Sequence, residues 1–181
     1  MTESNTQNKI LFIGLDNSGK TSIVQCLQGI KNLPSFFNIK PTEGLDIKNI
    51  NALDSEFAIW DLGGQETFRN EYLRDFNKYV IGCNKLIYVF DIQDIKRYDL
   101  ALEYFGKIID ILKENSEAEK IEISIFLHKF DPDLNVTRPD ITKEIFNDFK
   151  EKIKKRIEKT DFFYQIFKTT VYALFEKIIL D

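Results

Sequence analysis

The sequence predicts an α/β fold: a six-stranded, mostly parallel sheet with one antiparallel hairpin strand and helices on both faces. Three observations predict it. Short apolar runs recur six times along the 181 residues, helical patterns fall between most of them, and the first run opens onto a glycine-rich GxxxxGK[ST] loop. The length suits one domain and 43% hydrophobic content suffices for a core, so a tail over 1–8 and one domain over 9–181 are expected.

The first run, Ile10 to Ile13, is short and apolar, as a buried parallel strand should be. Gly14 to Thr21 (GLDNSGKT) follows it, and Ser22 to Leu27 then carries a helical pattern. Strand, loop and helix in that order are the context in which this motif binds a nucleoside triphosphate. Glycines 14 and 19 let backbone N–H groups converge on phosphates, and the helix N-terminus adds its partial positive charge. Leu15, Asp16, Asn17, Ser18, Gly19 and Ser22 are therefore expected around the phosphates, with Lys20 reaching the β- and γ-phosphates and Thr21 offering its hydroxyl to Mg²⁺.

A polar and aromatic connection, Lys31 to Lys40, leads to Pro41-Thr42-Glu43-Gly44. Thr42 is expected to complete the Mg²⁺ shell when a γ-phosphate is present. Read alone, the same four residues are equally a proline turn. Leu45 to Ile50 and Phe57 to Leu62 are joined only by Asn51 to Ser55, too short for a crossover, so they form an antiparallel hairpin. Its second strand closes on Asp61-Leu62-Gly63-Gly64-Gln65. Here Asp61 is the expected metal carboxylate, Gly64 offers its N–H to the γ-phosphate, and Gln65 orients the attacking water.

Leu86 to Ile92, Ile121 to Leu127 and Phe162 to Thr169 supply the remaining strands. Tyr98, Ala101, Leu102, Phe105, Ile108, Ile109 and Leu112 form one helical stripe; Ile141, Ile145, Phe149, Ile153 and Ile157 form another, for which Thr137, Pro139 and Asp140 are the expected capped start. The charged run Lys150 to Lys159 alternates in sign and reads as a solvated face.

A net charge of −4 gives no electrostatic support for nucleic-acid binding. Cys26 and Cys83 lack metal spacing and read as buried free thiols of the cytoplasm. Thr2 excludes myristoylation and Ile178-Ile179-Leu180-Asp181 carries no prenylation cysteine, so no direct lipid anchor is expected and membranes are met only through partners.

GLDNSGKT, PTEG and WDLGGQ resemble the Arf and Arf-like branch of small GTPases, and the resemblance spans essentially the whole chain. One motif departs from it. His128-Lys129-Phe130-Asp131 stands where most GTPases carry NKxD, and with Thr169-Thr170-Val171 it is similar to the Rag GTPases. The resemblance implies a P-loop small GTPase G domain that cycles between GTP and GDP with Mg²⁺, with switch segments over 31–44 and 63–79. It assigns catalysis to Gln65, Lys20 and Gly64, the metal to Thr21, Thr42 and Asp61, and the base to His128, Lys129, Asp131, Thr169, Thr170 and Val171. Asp131 would accept from guanine N1–H and N2–H₂, with the Lys129 stem over the base. A His128 ring N–H would bond purine N7 or the phosphate loop, the plainer reading being a histidine packed at a strand end.

The family also implies an activating protein, an exchange factor and effectors on the switch and interswitch surface, where Phe57, Ile59 and Trp60 are apolar, and it leaves a homo- or heterodimer open. With no arginine finger in cis, hydrolysis is expected to be slow, on the order of 10⁻⁴ s⁻¹. The alternative is a nucleotide-locked pseudo-GTPase serving as a binding module with little turnover.

Overall fold

A computed structural model describes residues 8–30, 35–36, 38–52 and 55–172. Most of the expected N-terminal tail, part of the 31–44 connection, the hairpin turn at 53–54 and the C-terminal segment from 173 lie outside the described residues. The strands are β1 (Asn8–Ile13), β2 (Leu45–Ala52), β3 (Ser55–Leu62), β4 (Cys83–Asp91), β5 (Glu122–His128) and β6 (Tyr164–Lys168). They form one sheet in the order β2-β3-β1-β4-β5-β6. Only β2 and β3 pair antiparallel, from Leu45 opposite Leu62 to Ala52 opposite Ser55; the other pairs are parallel.

Helices α1 (Lys20–Leu27), α2 (Glu66–Arg74), α3 (Phe76–Val80), α4 (Tyr98–Lys113), α5 (Leu134–Thr137) and α6 (Lys143–Ile157) connect them, with 3₁₀ turns at Ile95–Arg97 and Ser116–Lys120. The central strands are buried on both faces, and their two-residue period divides the core. Leu11, Ile13, Leu86, Tyr88 and Phe90 face α4 and α6, whereas Phe12, Ile59, Ile87 and Val89 pack with Ile23 and Val24 of α1. Aromatic contacts tie α6 to this core: the Phe149 ring stacks on Tyr98 at 3.7 Å and meets Phe90 edge-on at 5.3 Å. Parallel strands place their carboxyl ends together, and loops leaving that edge carry the site residues.

Several expectations are corrected. The second long helix is capped by Thr142, whose hydroxyl accepts from the Ile145 N–H at 3.3 Å, and not by Thr137. Pro139 pushes Arg138 out of the helical region, to φ −135°, so no helix propagates from Thr137, which instead ends α5 and donates to the Asp133 carbonyl. Ile145 is partly exposed rather than part of the packed stripe. Cys26 lies on the solvent side of α1, and Cys83 is half-buried at the start of β4; both are free thiols. Ile59 is buried in the core and unavailable as a docking residue, while Trp60 is half-buried beneath the Lys9 ammonium, 3.6 Å from the ring centroid. Among the described residues no helix is long and apolar enough to cross a membrane.

Phe149→Ala is expected to lower stability by about 3–5 kcal/mol, since it opens a cavity beneath two aromatic partners. Urea unfolding followed by circular dichroism checks this, with a lower midpoint at unchanged slope as the expected result.

Candidate functional site

The phosphate loop occupies the turn between β1 and α1. Gly19 adopts φ +93°, and a Cβ there would lie 2.4 Å from His128 Cδ2, so conformation and space both require glycine. Lys20 is buried, with its ammonium donating to the carbonyls of Leu15 at 2.7 Å and Gly14 at 3.1 Å. Burial lowers its pKa to about 8, partly offset by the carboxylates of Asp61 and Asp16. A phosphate ligand would oppose that desolvation and hold the ammonium charged. The loop opens onto a cavity of about 570 Å³ lined by Asp16, Asn17, Gly19, Lys20, Thr21 and Ser22 on one side and Phe36, Thr42, Gly64 and Gln65 on the other. Leu15 and Ser18 are buried beneath it.

The three residues expected at the metal meet here. Thr21 Oγ1 donates to Asp61 Oδ2 at 2.6 Å, lies 2.9 Å from Thr42 Oγ1, and Thr42 Oγ1 donates to the same oxygen at 3.3 Å. Asp61 is buried at the end of β3, which raises its pKa; the Thr21 hydrogen bond and the Lys20 charge act the other way. Its second oxygen, Oδ1, is buried without a hydrogen-bond partner among the described residues. An orphaned carboxylate oxygen beside two hydroxyls is a donor set fitted to a hard cation. Among the described residues no three acidic, histidine or cysteine side chains are grouped so that they could hold a metal ion. The set is therefore incomplete alone and suits an ion that also takes oxygens from a phosphate ligand.

Residues 63–72 bind the phosphate loop to the 42–44 segment. The Gly63 N–H donates to the Gly44 carbonyl at 2.8 Å, and Tyr72 Oη donates to that same carbonyl at 2.7 Å. A Cβ on Gly64 would lie 2.1 Å from the Asp16 nitrogen, and the Asp16 N–H donates to the Gly64 carbonyl at 2.9 Å. Gln65 is half-buried at the N-cap of α2 and lines the cavity. Sequence reasoning missed two arginines. Arg97 pairs with Asp16 Oδ1 at 2.8 Å, and buried Arg69 donates to the Gly64 carbonyl at 2.6 Å while lying 3.7 Å from the same Asp16 oxygen. Neither sits in a motif, so only the fold reveals them.

The second half of the site lies at the ends of β5 and β6. A depression of about 210 Å³ is lined by Gly19, Ser22, Phe36, His128, Lys129, Asp131 and Val171. Asp131 accepts at Oδ1 from Thr170 and at Oδ2 from Gln93 Nε2, the latter at 2.7 Å. Lys129, held at φ +60°, pairs with Asp91 at 2.6 Å. His128 is 2% exposed, its Nδ1 is 2.9 Å from Thr169 Oγ1, and its opposite edge packs against Gly19. The ring packs against the phosphate loop at Gly19, and its hydrogen bond goes to Thr169. Thr169 and Thr170 thus brace His128 and Asp131 through their side chains. Gln93 and Phe36 carried no sequence signal, because each is placed by a loop rather than by a motif.

The conserved region of the Gtr1/RagA G proteins matches residues 9–181. ADP-ribosylation factor-related protein 1 of Rattus norvegicus is 33% identical over 152 residues, covering 81% of this chain and 71% of that protein. ADP-ribosylation factor-like protein 3 of Caenorhabditis elegans is 29% identical over 143 residues, covering 78% of this chain and 71% of that one. In fold, the chain is similar to the Trypanosoma brucei Arl6 BBS3 small GTPase solved with the nucleotide analogue GppNp, at a TM-score of 0.63, covering 91% of this chain and 87% of that one at 20% identity.

Burial, reinforced by Lys129, lowers the His128 pKa to about 4 from 6.5, so the folded protein holds the neutral ring. Below pH 6.5 the unfolded chain binds a proton that the folded state refuses, and stability falls as pH drops toward 4. Between pH 7 and pH 5 the wild type is expected to lose about 2 kcal/mol more than His128→Asn, measured by urea unfolding at both values.

Proposed function

Because this chain belongs to the Arf-like and Rag-type small GTPases, we propose that it is a Mg²⁺-dependent guanine-nucleotide switch that hydrolyses GTP to GDP. The observation that carries this reading is the convergence of Thr21, Thr42 and Asp61 on one point beside the phosphate loop, with Asp61 Oδ1 left unpartnered. Those three would hold the magnesium, which when bound neutralises charge on the phosphate oxygens. Lys20 brings a buried positive charge to the triphosphate, and Gly64, which lines the same cavity, donates its N–H to the γ-phosphate in this reading. Gln65, on the wall of the same cavity, orients the attacking water.

Thr42 belongs to the 38–44 segment and Gly63 to the turn before α2, so a γ-phosphate that holds Thr42 also sets the Gly63–Gly44 contact. Its loss on hydrolysis releases both, and effectors read the difference on the hairpin and α2. The two guanidiniums that reach the phosphate loop, Arg69 and Arg97, are both engaged by Asp16. Hydrolysis unaided is therefore slow, and a partner supplies the missing cation. An exchange factor completes the cycle. The base site is read by Asp131, Lys129 and His128.

The direct test is to denature the purified protein and identify the released nucleotide: guanine is expected, and adenine or nothing would overturn the reading. In single-turnover assays Gln65→Leu should hydrolyse bound GTP at least about tenfold more slowly at similar affinity. Asp61→Ala should lose the magnesium dependence of GTP affinity, measured by titration with and without chelator.

A further inference from the structure

We infer that Gln93 is a specificity-positioning residue of the base site: its side-chain amide fixes Asp131 so that the carboxylate accepts a base presenting two adjacent donors. The inference rests on the guanine-nucleotide reading above. Gln93 follows β4, outside every motif of the sequence. Its amide nitrogen uses both hydrogens, one on the Lys129 carbonyl at 2.9 Å and one on Asp131 Oδ2 at 2.7 Å. Its own backbone is fixed as well, with its N–H on Asp91 Oδ1 at 2.9 Å and its carbonyl accepting from Arg138 Nη1 at 2.7 Å. The same Asp91 carboxylate pairs with the Lys129 ammonium at 2.6 Å through its other oxygen.

These contacts have a chemical consequence. A carboxylate offers about four lone-pair positions. Thr170 takes one on Oδ1 and Gln93 takes one on Oδ2, which leaves one on each oxygen. Two acceptors on one rigid plane match the N1–H and N2–H₂ of guanine; inosine offers only the first. Lys129 sits at φ +60°, a conformation disfavoured for a side-chain-bearing residue, and the Gln93 bond to its carbonyl holds that turn in place. Without the amide, Asp131 would keep its charge and its Thr170 contact but lose the bond that sets its plane. Affinity for the two-donor base should then fall further than affinity for the one-donor base.

The test compares Kd values for GDP and IDP in wild type, Gln93→Leu and Gln93→Asn, by titration calorimetry on nucleotide-free protein with magnesium. The leucine removes both donors at similar volume. The asparagine keeps an amide one methylene too short to span Lys129 and Asp131, and serves if the leucine variant fails to fold. The expected result is a GDP-over-IDP preference reduced about tenfold or more in either variant, with phosphate-driven binding retained. An unchanged preference, including an equal loss for both nucleotides, would overturn the role of Gln93. A wild type that binds GDP and ADP alike would instead overturn the guanine reading itself, before any variant is compared.

Discussion

Asp61 is an acidic side chain 1% exposed to solvent, and burying a carboxylate is unfavourable unless its oxygens are satisfied. One oxygen gathers hydroxyls from the phosphate loop and from the 38–44 segment; the other has no hydrogen-bond partner among the described residues. Three stretches far apart in sequence, around positions 21, 42 and 61, are thereby drawn to one point. Buried Lys20 lies close enough to influence Asp61, and the pKa of each group reflects the other. The protein thus compensates the Asp61 charge only in part, through Lys20 and the two hydroxyls on one oxygen. A cation bound at the other oxygen would complete the compensation and tie its occupancy to the position of Thr42.

The cavity at the phosphate loop and the depression at the ends of β5 and β6 share Gly19, Ser22 and Phe36 in their walls, and the tightest approach between them is at Gly19. Gly19 turns the loop into α1, and the space that a side chain would take there is filled by the His128 ring. Thr169 holds the far side of that ring, and the Phe130 N–H bonds the Thr169 carbonyl at 3.0 Å, so β5 and β6 end as one unit. The histidine fills this space by shape. Its burial requires the neutral ring, which links the integrity of the loop to pH in a way an amide would not.

The residues that converge on the cavity at the phosphate loop were legible in the sequence because they belong to local motifs or sit at a strand end. GLDNSGKT and DLGGQ specify their own turns, and the periodic runs specify the strands on which they lie. What escaped was set by tertiary placement. Thr137 and Thr142 both precede apolar stripes, and the choice fell to Pro139 acting on its neighbour. Cys26 could not be assigned to the solvent side of α1 until the sheet had chosen which face of that helix to bury. Arg97 and Gln93 lie in the irregular stretch after β4, where no period applies. They reach Asp16 and Asp131 only because β4 lies between β1 and β5.

The same placement explains how a modest ligand energy could move the 38–44 segment. Its links to the rest of the domain include the Gly63 and Tyr72 bonds to the Gly44 carbonyl and the Thr42 hydroxyl at Asp61. Hydrogen bonds of this kind contribute about 0.5–1.5 kcal/mol each, so these three together contribute about 1.5–4.5 kcal/mol. Shifting a two-state equilibrium from one dominant form to the other takes about 5.5 kcal/mol of differential binding. A ligand would have to favour one position of Thr42 by that much to move the segment from one form to the other. The buried strands, by contrast, are held by packing on both faces.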